Sequence, residues 1–187
     1  AYLKAHYPVE FLAASMTLDM GNTDKLADFR QDALRLGIDV VAPSVMTSFR
    51  DFEVGENRIY YSLAALKGVG DAAVEHIAAR RAEKPFASLA DFCERIDPKI
   101  VGKRVFESLI MAGAFDCFGH DRAALMAGLE RMMGMAARAQ ENAASGQVDI
   151  FGSAFSGQAQ TLHLPHAEPW LPAERLHREF QVVGFYL

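Results

Sequence analysis

The sequence predicts a mainly α-helical fold, a helical bundle with one small β-hairpin sheet. Three observations lead there. Apolar residues recur at intervals of three and four along most of the 187 residues, the spacing of one helix face. Segments open on a capping residue or a proline (Asn22 or Thr23, Ser88, Pro98, Asp121) and close on a glycine (Gly37, Gly113), the usual asymmetry of helix ends. Alternation of apolar and polar residues is confined to one place. Phe52-Glu53-Val54 and Arg58-Ile59-Tyr60-Tyr61 flank Gly55-Glu56-Asn57, as strands flank a tight turn.

The elements follow in order. Residues 1–7 read as a helix, and Pro8 opens a second with Val9, Phe11, Leu12, Met16 and Leu18 on its apolar face. Gly21-Asn22 breaks that run. The third helix carries Leu26, Phe29, Ala33, Leu34 and Leu36 and stops at Gly37. Residues 38–41 read as a short strand ended by Pro43. After the hairpin, a short apolar run (63–66) enters a Gly68-Val69-Gly70 turn and emerges as a helix. Ala73, Val74, Ile77 and Ala78 share one face of it, and Arg80 and Arg81 close it where cations suit the helix dipole. Ser88-Leu89-Ala90-Asp91 has capping-box spacing, with Leu89, Phe92, Cys93 and Ile96 as the buried side. Pro98 is expected to open the next helix, with Ile100, Val101, Val105, Leu109 and Ile110 inward, ending at Gly113. Gly102 then falls inside a helix, a poor place for glycine. Asp121 caps one long helix to about residue 144, whose Leu125, Leu129, Met132, Met133 and Ala136 read as core. From 145 to 172 Gly, Ser, Gln, Pro and His dominate and periodicity disappears, as in a linker or extended arm. Residues 173–183 read as a helix leading into an apolar strand.

The Gly68-Val69-Gly70 turn is where chemistry concentrates. Its glycines let the backbone bend sharply and approach another surface closely. The first amides of the following helix have no internal partners, and Lys67 stands beside them. Free N–H groups at the positive end of a helix suit a phosphate. This is the pattern of a helix-hairpin-helix, a module that grips nucleic-acid backbone without reading bases. On these residues alone, a glycine-rich cap with no ligand stays equally open. The pair of helices after Ser88 looks like a degenerate second copy, with Lys99, Lys103 and Arg104 near its entry.

Composition narrows the classes. Nineteen Lys and Arg against 24 Asp and Glu leave a net charge of −5, which argues against a free-standing tight DNA binder. Any nucleic-acid contact must be a local basic patch. The two cysteines, Cys93 and Cys117, form no ladder and read as two buried thiols in a reducing cytoplasm. No apolar run is long enough to span a bilayer and no leader is evident. A first residue Ala1 and a last stretch Phe185-Tyr186-Leu187 fit a piece of a longer protein.

Against that background a family resemblance becomes visible. Tyr2-Leu3-Lys4-Ala5-His6-Tyr7-Pro8-Val9-Glu10-Phe11 resembles the end of the fingers of bacterial DNA polymerase III alpha subunits, the C-family replicative polymerases. The likeness continues through Asp24-Lys25-Leu26, Leu36-Gly37-Ile38, Leu66-Lys67-Gly68-Val69-Gly70, Phe86-Ala87-Ser88-Leu89-Ala90-Asp91-Phe92-Cys93, Leu109-Ile110-Met111-Ala112-Gly113-Ala114-Phe115-Asp116 and Gly184-Phe185-Tyr186-Leu187. It covers nearly the whole chain. The resemblance implies distal fingers with the β-hairpin (1–62), a tandem helix-hairpin-helix region with a long helix (63–144), a linker (145–172) and the start of an OB-side domain (173–187). It implies a parent DNA-directed DNA polymerase, a nucleotidyltransferase whose palm carboxylates and Mg²⁺ lie outside this chain. The chain itself is then expected to be non-catalytic and to need no cofactor. DNA-backbone contacts are expected at Lys67, Gly68, Val69 and Gly70, and more weakly at Lys103 and Arg104.

Gln147-Val148-Asp149-Ile150-Phe151 is similar to the family's internal sliding-clamp-binding peptide. Two bulky apolar residues on a polar tether can dock in a hydrophobic pocket, with Gln147 setting register and Asp149 between. The implied partners are duplex DNA, the sliding clamp (beta subunit) and other polymerase III holoenzyme subunits, in the bacterial cytoplasm and away from membranes. Two alternatives stand beside this: a fragment that binds only proteins, and the same region of an error-prone C-family polymerase. His163-Leu164-Pro165-His166 is a poor metal site, because Pro165 forbids a regular helix and no further ligands cluster nearby. No acid–base pair, phosphate loop or nucleophile elbow can be named. Arg80, Arg81 and Lys84 read equally as an extended phosphate track or as a solvated helix end.

Overall fold

The structure, a computed structural model, describes residues 2–145 and 162–186. Helix α1 (Tyr2–His6) is followed at once by α2 (Pro8–Leu18), because proline at the first helical position gives up only an amide that the helix cannot use. α2 buries Leu12, Ala13 and Met16, whereas Leu18 is 87% exposed. Two residues beyond Met16 lies roughly 200° round a helix, so Leu18 leaves the expected face. In α3 (Thr23–Arg35) the cap is Asn22, whose Oδ1 accepts the Lys25 amide at 3.2 Å. Leu26 and Ala33 are buried, but Leu34 and Leu36 remain about half exposed. Gly37, at φ +69°, turns the chain out of the helix.

The hairpin forms as expected. β2 (Glu53–Gly55) runs antiparallel to β3 (Arg58–Tyr60), with Val54 opposite Ile59. Asn57, at φ +52°, supplies the left-handed turn residue, a role Asn tolerates. The sheet is larger than a hairpin. β1 (Asp39–Val41) pairs parallel on the free side of β3, giving the order β1-β3-β2. The loop between β1 and β2 is pinned from several sides. The Leu63 amide donates to Phe49 O at 2.9 Å, the Phe52 amide to Thr17 Oγ1 at 3.1 Å, and the Ser62 hydroxyl to Arg50 O.

α4 (Asp71–Glu83), α5 (Leu89–Arg95) and α6 (Lys103–Ala112) form the middle of the chain. Ser88 Oγ accepts the Asp91 amide at 3.1 Å, and Asp91 Oδ2 accepts the Ala87 amide at 2.9 Å, so the expected capping box closes one residue wide. Phe92 of α5 is fully buried. Its ring meets Phe86, Phe115 and Phe106 at 4.9, 5.1 and 5.9 Å. Each such side chain removed from water contributes about 1.5–3 kcal/mol, and edge-on packing of the rings adds to that.

Three expectations fail here. α6 does not start at Pro98: Asp97 O accepts the Ile100 and Val101 amides in a single turn, and the helix begins at Lys103. Gly102 is therefore its N-cap, with φ −74° and ψ 175°, and not an interior residue. The long helix is two, α7 (Arg122–Ala127) and α8 (Leu129–Ser145), parted at Gly128. A Cβ on Gly128 would lie 2.6 Å from Leu164 Cδ2, so the break admits the side chain of a later segment. Cys93 is buried but Cys117 is exposed, because the short 3-10 turn Asp116–Phe118 directs it outward while Phe115 fills the core.

Residues 162–171 have no regular structure, yet they are packed. Leu162, Leu164 and Trp170 lie against the core, Arg131 Nη1 donates to His163 O at 2.9 Å, and the Arg178 guanidinium stacks 4.3 Å above Trp170. α9 (Pro172–Val183) ends at Gly184, φ +91°, and no strand follows it among the described residues. Val182, Val183 and Phe185 instead enter the common core, Phe185 beside Tyr61. Arg122, 8% exposed at its side chain, joins these pieces. It donates to Met111 O at 3.1 Å and pairs with Asp116 and with Glu179 of α9. Gly113 makes room for it, since a Cβ there would fall 1.9 Å from Arg122 Nη2.

Candidate nucleic-acid interface

The Leu66-to-Gly70 turn is built by two short-range bonds, Leu66 N–H to Leu63 O and Val69 N–H to Leu66 O. Val69, expected among the backbone contacts, is instead the anchor of the turn, 7% exposed and with its amide taken by Leu66 O, while Lys67, Gly68, Gly70, Asp71 and Ala72 face solvent. Gly68 sits at φ +87°, a backbone that L side chains rarely adopt. Gly70 is the N-cap of α4, at an ordinary φ −90° and ψ 157°, and its carbonyl accepts the Ala73 and Val74 amides. The amides of Gly68, Gly70, Asp71 and Ala72 meet no protein acceptor among the described residues. They remain on an exposed rim at the positive end of α4.

That rim is held firmly from behind. The Lys67 amide donates to Val182 O at 2.9 Å, and Lys67 O accepts the Ser108 hydroxyl at 2.8 Å. The hairpin is thus fixed to both α9 and α6, and an anion arriving there would meet donors already in place. Arg81, placed by sequence either in solvent or on a phosphate track, does neither. It is buried, donating through Nη1 to Val45 O and Ser48 O at 2.8 Å each and stacking on Phe49. Burial without a carboxylate partner pushes its pKa down. Arg80 pairs with Glu83.

The second hairpin repeats the first in part: Ile100 has no positive φ to match that of Gly68, and its amide is taken by Asp97 O. Lys99-Ile100-Val101-Gly102 stands to α6 as Lys67-Gly68-Val69-Gly70 stands to α4. Val101 is buried, and the Gly102 carbonyl accepts the Val105 and Phe106 amides as Gly70 accepts its pair. The amides of Gly102, Lys103 and Arg104 also lack protein acceptors among the described residues. His76 braces this turn, its Nε2 accepting the Asp97 amide at 3.0 Å. Burial and the nearby Arg80 charge lower the His76 pKa from 6.5.

Lys103 and Arg104, grouped by sequence, part company in space. Lys103 Nζ pairs with Glu130 Oε1 of α8 at 2.5 Å, a hydrogen bond that raises its pKa. Arg104 lies across the first hairpin: a Cβ on Gly68 would be 3.0 Å from Arg104 Nε and 3.0 Å from Ser108 Oγ. Neither Arg104 nor Lys67 enters an ion pair among the described residues. Arg104 and several open amides therefore share one exposed patch, while the Lys67 ammonium lies by the end of α9, 3.4 Å from a Cβ built on Gly184. Sequence reasoning missed the placement of Arg104, and it missed Ser108 and Arg50 altogether. These residues meet the hairpin only through folding.

Among the described residues no three His, Cys, Asp or Glu side chains converge as a metal site, and no helix is long and apolar enough to cross a membrane. Gln147, Asp149, Ile150 and Phe151 lie outside the described residues.

Residues 37–125 match a family described as the helix-hairpin-helix motif. Over its whole length the chain is 46% identical to the DNA polymerase III subunit alpha of Caulobacter vibrioides, 40% to that of Thermus aquaticus and 39% to that of Pasteurella multocida. It spans 16%, 15% and 16% of those relatives.

Proposed function

We propose that this chain, a homologue of one segment of DNA polymerase III alpha subunits, is a non-catalytic part of a replicative DNA polymerase that holds duplex backbone. The first hairpin receives a phosphate on the amides of Gly68, Gly70 and Asp71, with Lys67 and Arg104 supplying charge. The second hairpin offers the amides of Gly102, Lys103 and Arg104 to another phosphate. The observation that carries this reading is the exposed group of unpartnered amides at Gly68, Gly70, Asp71 and Ala72 with Arg104 beside Gly68. Phosphate contacts position a protein on DNA and do not specify sequence, so no base preference is expected. Deoxynucleotide addition with Mg²⁺ belongs, in this reading, to other parts of the parent chain, which works in the bacterial cytoplasm.

The test is duplex binding by the parent polymerase at several salt concentrations. Lys67→Glu is expected to weaken binding about equally on unrelated sequences and to flatten the salt slope by roughly one unit. Unchanged binding and slope would leave the protein-interaction reading in its place.

The same proposal assigns Gln147 to Phe151 as the tether to the sliding clamp. Capture would raise processivity through effective concentration and not through chemistry. Replacing Ile150 and Phe151 with Ala is expected to abolish capture by the clamp; retained capture removes the assignment. A processive parent on its clamp also separates a replicative from an error-prone polymerase.

A further inference from the structure

The geometry points to Arg50 as a positioning residue of the phosphate site, one that neutralises Asp71 so that an anion can approach the first hairpin. This inference rests on the reading of that hairpin given above. Asp71 is the first residue of α4, and its own amide is one of the open donors. A carboxylate there suits the helix dipole but repels a phosphate arriving at the same amides. Arg50 covers that carboxylate, with Nε and Nη2 both donating to Asp71 Oδ2 at 3.1 and 3.0 Å. Its Nη1 reaches Asp51 Oδ1 at 3.1 Å. The next acid on the exposed side of α4 is Glu75, whose charge also acts on Arg50.

Exposed ion pairs are ordinarily loose, but this arginine is carried by a fixed backbone. The Ser62 hydroxyl binds its carbonyl, the Leu63 amide binds Phe49 O, and buried Arg81 binds Val45 O and Ser48 O. Arg81 belongs to α4 itself. One helix thus holds the loop that presents the cation to its own N-terminal acid. The arrangement offsets the repulsion of the Asp71 carboxylate with a cation that Asp51 shares, and leaves the amides of Gly68, Gly70 and Ala72 open.

A charge-and-background cycle in the parent polymerase tests this, using duplex affinity and its salt slope. Arg50→Gln is expected to weaken binding roughly two- to fivefold, the scale of a charge at a helix terminus, whereas Arg50→Lys keeps wild-type affinity. In the Asp71→Asn background Arg50→Gln should have no further effect. An equal loss in both backgrounds would overturn the inference, because Arg50 would then be touching the phosphate itself. No loss with Arg50→Gln, while Lys67→Glu still weakens binding, would overturn it and spare the hairpin reading. A silent Lys67→Glu would remove both. Helix content and denaturant midpoint, followed in parallel, separate a charge effect from local unfolding.

Discussion

Gly68 and Gly70 belong to one short motif but do different physical work, so replacing each by alanine should give opposite signatures. At Gly68 the backbone sits at φ +87°, and an L residue in left-handed conformations costs about 1–2 kcal/mol. The new methyl would also stand 3.0 Å from Ser108 Oγ and from Arg104 Nε. Displacing Ser108 weakens its bond to Lys67 O, worth about 0.5–1.5 kcal/mol. Alanine stiffens the unfolded chain and returns about 0.4–1 kcal/mol. The net expectation is a loss of about 0.5–3 kcal/mol in stability. Gly70 is different. Its φ of −90° suits any residue, and no atom lies within 4 Å of a Cβ built there. Gly70→Ala should stay within about 1 kcal/mol of wild type, its weaker capping set against the stiffer unfolded chain. That open space is where a phosphate would come. Gly70→Ala should therefore bind duplex DNA more weakly while folding almost normally. Denaturant titration of both variants, paired with duplex binding in the parent polymerase, reads the two effects separately. If Gly70→Ala keeps full affinity, or both variants lose equal stability, the division of labour is wrong.

Three further outcomes follow from the packing. Arg122→Ala strips Glu179, 13% exposed at its side chain, and half-exposed Asp116 of their shared buried partner. Breaking a fully buried pair costs about 3–5 kcal/mol, and the solvent reaching both acids lowers that, so calorimetry should show a clear fall in melting temperature, and an unchanged one would refute the Arg122 network. His76 accepts the Asp97 amide only when Nε2 is unprotonated, and its folded pKa lies below the ordinary 6.5. Its contribution is thus fully present above pH 6.5 and is lost as pH falls through the folded value. The denaturant midpoint measured from about pH 8 to about pH 5 should fall less steeply in His76→Ala; identical profiles would dismiss the brace. Ser88→Ala removes the cap of α5 and should cost about 1 kcal/mol by denaturant titration, with no loss of duplex binding.

Much of the candidate site was legible. Lys67-Gly68-Val69-Gly70 announced a turn and open amides, because such geometry is local, but not that Val69 would be its buried anchor, since that depends on the core beneath it. The matching Lys99-Ile100-Val101-Gly102 was equally present in the sequence. It was obscured by Pro98, which can start a helix but here only begins a turn. The Arg81 reading failed for a different reason. A lone arginine at a helix end looks solvated until a loop from elsewhere supplies two carbonyls and a ring for it.

Helix boundaries, caps and the hairpin register are set by neighbours a few residues apart, so the sequence by itself determined them at Asn22, Gly37, Ser88 and Asn57. Only the tertiary structure decided that β1 would pair with β3, that Leu164 would part α7 from α8, and that Arg104 would cross to Gly68. It alone seated Arg50 on Asp71 and Arg122 between three segments. Those contacts join residues with no spacing in common. They form because burying the shared core around Phe92 and Tyr61 brings the segments together, and charge and shape then select among the neighbours that burial provides.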